Sequence, residues 1–176
     1  IPRFKPPVNA RGNEEVFEPV PARFIRFNIA RANRAEPCVD ELEIFAEGKN
    51  VALASAGARA TASGVYLDGG NPIHQLALVN DGRYGNSRSW IANSSTNAWV
   101  QIELAKPATI GRIKWARDRE GRYNDRLAVE YTFEVATKPG QWRTVASSAD
   151  RPPTGDGTQT KLEYLLAHLK GAEATK

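Results

Sequence analysis

The sequence predicts an all-β fold, an antiparallel sandwich or barrel, and three observations carry that reading. Hydrophobic residues recur with a period of two over several short runs. Clusters of Gly, Pro, Asn and Asp separate those runs. No helical pattern lies between one run and the next, so neighbouring strands lack the crossover helices that a parallel sheet needs.

The elements follow in order. Residues 1–20, rich in Pro, Asn, Gly and Glu, read as an irregular lead-in. In "RFIRFNI", Ile25, Phe27 and Ile29 share one face and Arg26 and Asn28 the other, the alternation of a half-buried strand. After the loop "ARANRAEP", the run "CVDELEIF" places Leu42 and Ile44 on the face of Cys38, with Glu41 and Glu43 opposite. "VALAS" and "ARATAS" are short strand-like pieces around Gly57. Residues 64–97 form a long segment dense in Gly, Asn, Ser and Asp, within which "IHQLALV" makes one helical turn. Long ordered loops in compact domains tend to carry function. Strands resume with "AWVQIEL" and "TIGRIKWA", and the clearest is "AVEYTFEV", with Val129, Tyr131, Phe133 and Val135 inward. "KPGQW" is a turn into a last strand, "WRTVAS". Beyond it, Leu162, Leu165, Leu166 and Leu169 follow helical spacing and Gly171 ends a short helix.

Composition bounds the function classes. The chain has 176 residues, 41% hydrophobic and 25% charged, which suits one globular domain with ragged ends. It has no apolar run of about 18 residues, so no transmembrane helix is expected. Cys38, the single cysteine, has no motif around it and reads as a small core residue. The net charge of +4 is mild, and in "RIKWARDREGRYNDR" the acids Asp118, Glu120 and Asp125 interleave with the bases. That pattern reads as a salt-bridged loop, and nucleic acid is not a predicted partner. Two histidines, His74 and His168, without a nucleophile motif, a phosphate loop or a zinc pair, argue against an enzyme.

Read together, "NVALASAGARATAS", "LVNDGRYGNSRSWI", "AWVQIELAKPATIGRIKWARD" and "YTFEVATKPGQWRTVA" resemble the coagulation factor type C, or discoidin-like, domain over about residues 50–146. That family is a galactose-binding-like β-sandwich jelly roll. The resemblance implies that "RFIRFNI" and "DELEIF" are the family's last two strands, moved to the front by circular permutation, with "AEGKN" joining the old ends. Two lone strands would not fold alone, which favours one domain over 21–150, with 151–176 a linker and helix toward a neighbouring domain. It also implies a non-catalytic binding module, with carbohydrate or a glycoconjugate as ligand, accessory to a larger extracytoplasmic protein. The alternatives are a structural or protein-docking module, and binding to an anionic glycan or lipid surface.

The resemblance further implies two sites. A structural Ca²⁺ would sit in the loop after Asp81-Gly82, with Asn86 and Ser87 as ligands and Glu41 closing the shell. Arg83 departs from the acid that relatives often carry there. A sugar would take hydrogen bonds and aromatic contact from Tyr66, His74, Arg117, Tyr123 and Arg126. The bland counterparts are an ordinary Asp-Gly turn and a loop network of Arg117–Asp118 and Asp125–Arg126 pairs. Trp90, Trp99 and Trp142 match the family's structural tryptophans, and Trp115 has core parity.

Overall fold

A computed structural model describes residues 5–152. The predicted helix over 161–170 lies outside the described residues. Among the described residues there are nine strands: β1 (Asn13–Ala32), β2 (Cys38–Val39), β3 (Glu41–Ala46), β4 (Lys49–Asn50), β5 (Arg59–Ala62), β6 (Trp90–Ile91), β7 (Thr96–Ala116), β8 (Ala128–Ala136) and β9 (Arg143–Ser147). Every strand pair is antiparallel. The main sheet runs β4-β3-β7-β1-β8-β9, with β5 also paired to β7, while β2 and β6 form a separate short pair.

Two strands dominate. β1 spans 20 residues and β7 spans 21, and they pair along almost their whole length, from Asn13↔Trp115 to Arg31↔Thr96. This ribbon is folded over on itself. Phe27 lies fourteen residues beyond Asn13, the partner of Trp115, which is about 46 Å along a straight strand. Yet the rings of Phe27 and Trp115 are 4.9 Å apart. The corner falls where the register shifts between Val16 and Val20 and between Ala22 and Phe24. Pro19, Pro21 and Pro107 lie in this stretch, where missing amide donors and bulges bend a ladder at least cost.

The fold-over makes a sandwich. One layer contains β5, the first half of β7, the second half of β1, β8 and β9. The other contains β4, β3, the second half of β7 and the first half of β1. Between them lies a core of Ile25, Phe27, Ile29, Leu42, Ile44, Val100, Ile102, Trp115 and Phe133, all essentially inaccessible. Phe27 stacks on Phe133 at 4.3 Å and meets Tyr131 edge-on at 5.3 Å. The segments "RFIRFNI" and "DELEIF" therefore sit within the same sheet as the later strands: β1 lies between β7 and β8, and β3 pairs with β7.

The structure corrects several expectations. The irregular lead-in ends at Asn13, because the alternation of buried Asn13 and Glu15 with exposed Glu14 and Val16 already belongs to β1. Within β1 the Glu15 carboxylate is fully buried. It accepts from Tyr131 Oη at 2.6 Å, Lys5 Nζ at 2.6 Å and Arg151 Nη2 at 2.7 Å. "VALAS" is not a strand; Ala54–Ala56 is a single 3₁₀ turn. "AWVQIEL" and "TIGRIKWA" are one strand rather than two, since Pro107 sits at the corner without ending the pairing. "IHQLALV" contributes the expected turn, at Leu76–Leu78.

Candidate functional site

The site is built where three segments converge: residues 64–91, the loop 117–127 after β7, and residues 33–41 before and at the start of β3. Backbone pairing holds them in place. Val39 pairs with Trp90 and Cys38 with Ile91, and the Cys38 amide donates to the Arg126 carbonyl at 2.9 Å. Leu127 N donates to Asn33 Oδ1 at 3.0 Å, and Asn33 Nδ2 donates to the Asn124 carbonyl at 2.8 Å. Asp118, fully buried, accepts the amides of Glu120 at 3.1 Å, Arg122 at 2.8 Å and Tyr123 at 3.0 Å. One carboxylate thus shapes the loop that carries Tyr123.

Arg117 is the hub, and it lies inside the protein, 2% exposed. Its Nε donates to the Asp125 carbonyl at 2.8 Å, Nη2 to Asp125 Oδ1 at 2.9 Å, and Nη1 to Asn86 Oδ1 at 2.7 Å and Cys38 Sγ at 3.4 Å. This places Arg117 as a support for the site rather than a ligand contact. Its partner is Asp125, not the expected Asp118, because Asp118 is committed to the loop amides. Arg126 pairs with Glu36, and its contact with Asp125 is a longer 3.9 Å.

Around this frame the other predicted residues gather. The Tyr123 ring, 49% exposed, lies 5.2 Å from the Arg117 guanidinium, and the half-buried Tyr66 ring lies 5.5 Å from that of Arg126. Arg126 holds a left-handed backbone, φ 56°, as do Leu67 (51°) and Asp68 (49°) beside Tyr66. Non-glycine residues in that region carry strain, which concentrates at ligand clamps. His74 Nδ1 is 2.9 Å from Ser89 Oγ, which itself donates to the Asn86 carbonyl at 2.8 Å. With its hydroxyl proton so used, Ser89 accepts from Nδ1–H, and Nε2 of the neutral ring is left as an acceptor. Burial, and then the Arg117 and Arg126 charges, hold the His74 imidazole below its ordinary range, which keeps it neutral.

The predicted metal loop is wired differently from the expectation. Asn86 Oδ1 is taken by Arg117, and Ser87 is exposed. Glu41 is fully buried, and its Oε1 accepts the Gly82 amide at 3.1 Å. Asp40 Oδ2 accepts the amides of Gly85 at 3.0 Å and Arg119 at 2.7 Å. Glu41 Oε2 and Asp40 Oδ1 are buried without a hydrogen-bond partner. Burial pushes the Glu41 carboxyl up to about 9, with Asp81 and Glu43 adding to the rise, and burial also raises Asp40. Arginines fill much of the surrounding shell: Arg88 pairs with Asp81, and Arg119 with Glu43 at 2.5 Å, its guanidinium 4.0 Å from the Tyr84 ring. Among the described residues no group of three or more His, Cys, Asp or Glu could hold a metal ion.

Asp40, Glu36 and Ser89 were missed from sequence, and Asp125 was named there only as a partner of Arg126. Asp40 carried a readable signal, since it shares the parity of Cys38, Leu42 and Ile44 and so had to be a buried carboxylate. The other three are loop residues whose partners depend on how separate loops meet. Of the tryptophans, Trp90 and Trp115 are core, whereas Trp99 and Trp142 flank Arg26 on the outer face, at 4.8 and 4.3 Å from its guanidinium.

The structure is thus an antiparallel sandwich whose loop end gathers arginine, tyrosine and histidine side chains. Residues 78–164 match the family model described as NedA-like, galactose-binding domain, of the F5/F8 type C group. This match supports a discoidin-like domain of the galactose-binding-like type, in agreement with the antiparallel sandwich. No curated protein matches the chain significantly. No helix among the described residues is long and apolar enough to cross a membrane.

Proposed function

We propose that the loop end binds a carbohydrate, and that the domain is a non-catalytic accessory module of a larger extracytoplasmic protein. One observation carries this reading: Tyr66, His74, Tyr123 and Arg126 come together over the frame of Arg117, Asp125 and Asn86. A sugar has a hydroxyl rim and an apolar C–H face. Arg126 supplies donors, His74 Nε2 an acceptor, and the two tyrosine rings the apolar surface. A glycan array followed by calorimetry on the sugars it identifies tests the proposal. Arg126→Ala and Tyr66→Ala are expected to weaken binding tenfold or more while the melting temperature moves little. Failure of a folded sample to bind any sugar overturns it.

The proposal extends to a structural Ca²⁺ at the Asp81-Gly82 loop. The two buried oxygens without partners, Asp40 Oδ1 and Glu41 Oε2, would supply only part of the six to eight oxygens it needs, and Asn86, Ser87 and loop carbonyls would have to supply the rest. Asn86 would have to release Arg117 to join them, and the amides of Gly82 and Gly85 already point at these carboxylates. A melting midpoint that rises with Ca²⁺ over chelator identifies the ion; equal midpoints remove it.

A further inference from the structure

A second concave site shares no lining residue with the Tyr66–His74–Arg126 group. It is a cavity of about 620 Å³ between the N-terminal segment and the end of β7, lined by Lys5, Arg11, Lys114 and Arg119, with Glu14 as its one carboxylate. Volumes of this order suit a mono- or disaccharide-sized group. The loop that presents Arg11 is firmly built. Asn13 Nδ2 donates to the Asn9 carbonyl at 2.7 Å, the Arg11 amide to Asn9 Oδ1 at 2.8 Å, and the Ala10 carbonyl accepts the amides of Arg117 and Asp118, both at 2.9 Å. Arg11 lies across Gly121 (φ 75°), where an added Cβ would fall 2.0 Å from its Nε.

The charges on this wall are unevenly answered. Lys5 is paired with Glu15 and Asp150, and Arg119 with Glu43. Lys114 shares Glu14 with Arg112, at the long distances of 3.9 and 3.6 Å. Arg11 makes no ion pair among the described residues; its one side-chain hydrogen bond goes to the Glu120 carbonyl at 3.3 Å. Two lining residues also keep a buried donor without an acceptor, Arg119 at Nε and Trp115 at Nε1. A cavity with surplus cations calls for an oxyanion. Exposed Val16 and Pro6 beside the cations offer an apolar contact of the kind a sugar ring takes. No exposed aromatic ring lines the cavity for a nucleobase to stack on.

We propose that this cavity is a second binding site, for the carboxylate or sulfate group of an acidic glycan. Binding of polygalacturonate and of dextran sulfate to the full chain, measured by calorimetry at low and at moderate salt, tests it. The expected result is binding that weakens with salt and falls at least tenfold in the double variant Arg11→Ala/Lys114→Ala. The same loss of charge elsewhere, Arg59→Ala/Arg143→Ala, is expected to leave it unchanged. Competition by inorganic sulfate at millimolar concentration would place recognition in the oxyanion itself; resistance to it would place recognition in the sugar that carries it. Both outcomes support the site. No binding of either polymer by a folded sample, equal loss in both double variants, or binding only to phosphatidylserine vesicles overturns it. Arg126→Ala separates this site from the first, since it is expected to leave acidic-polymer binding intact.

Discussion

Two residues at the loop end show how burial sets chemistry. Cys38 is inaccessible, and burial pushes its thiol up to about 11, against the opposing pull of Arg117. A thiolate is the reactive species, so the folded protein is expected to resist a thiol reagent at pH 8. Labelling should follow the global unfolding curve, and rapid labelling under native conditions would contradict the packing around Cys38. His74 shifts the opposite way. Its folded-state value lies below the ordinary 6.5, so between the two values the unfolded chain binds more protons than the native one. Stability through this group is therefore complete above about pH 6.5 and is lost as the pH falls through that window. His74→Gln, which cannot take up the proton, is expected to lose less stability than the wild type between pH 7 and pH 5, measured by thermal melts. These residues were legible in sequence to different degrees. Cys38 could be assigned to the core from strand parity alone. His74 could be placed in a long polar loop, but its tautomer depends on Ser89 and Asn86, which only the folded loop brings to it.

At the level of elements, the site depends on short segments that have little packing of their own. The 117–127 loop is organised by Asp118, whose carboxylate takes three amides. Asp118→Ala is expected to cost roughly 2–3 kcal/mol, the scale of hydrogen bonds to a buried charge, and to lower the melting temperature by several degrees. It should also weaken sugar binding by releasing Tyr123. Asp118→Asn keeps one acceptor and should fall between. A wild-type melting temperature in the alanine variant would mean that the loop is held by its ends. Sequence placed this loop correctly but paired Arg117 with its neighbour Asp118. Adjacent side chains in an extended strand point to opposite faces, and the loop turns back far enough to bring Asp125 under the guanidinium. β1 and β7 show the converse. Their alternation was plain in sequence, but the fold-over at Pro19, Pro21 and Pro107 was not. Proline reads locally as an end to a strand, whereas here the pairing resumes beyond each corner because both halves bury apolar faces against one another.

For the whole molecule, the order of the strands is the open physical question. β1 and β3 flank the two halves of β7 and contribute Ile25, Phe27, Ile29, Leu42 and Ile44 to the core. The proposal that these strands are the family's closing pair, moved to the front, requires two things of the structure. The join between old ends should be a short turn, and the present ends should meet. β3 and β4 are joined by Glu47-Gly48, with φ values of 49° and 78°, the left-handed pair that a two-residue type I′ hairpin turn demands. At the other end, Lys5 Nζ is 2.6 Å from Asp150 Oδ2, and Arg151 Nη1 donates to the Pro6 carbonyl at 2.9 Å. A chain opened between Glu47 and Gly48, with Arg151 linked to Lys5 through about six Gly/Ser residues, would restore the family order and keep every strand pair. It is expected to fold cooperatively with the β-sheet circular dichroism of the wild type, since closing so short a linker adds little entropy cost. A chain beginning at Lys49 should not fold, because it strips β7 of β1 along both halves and of β3 along the second. If the shortened chain folded alone and the reopened one did not, the first strands would be an appendage, and the sandwich would have to close without them.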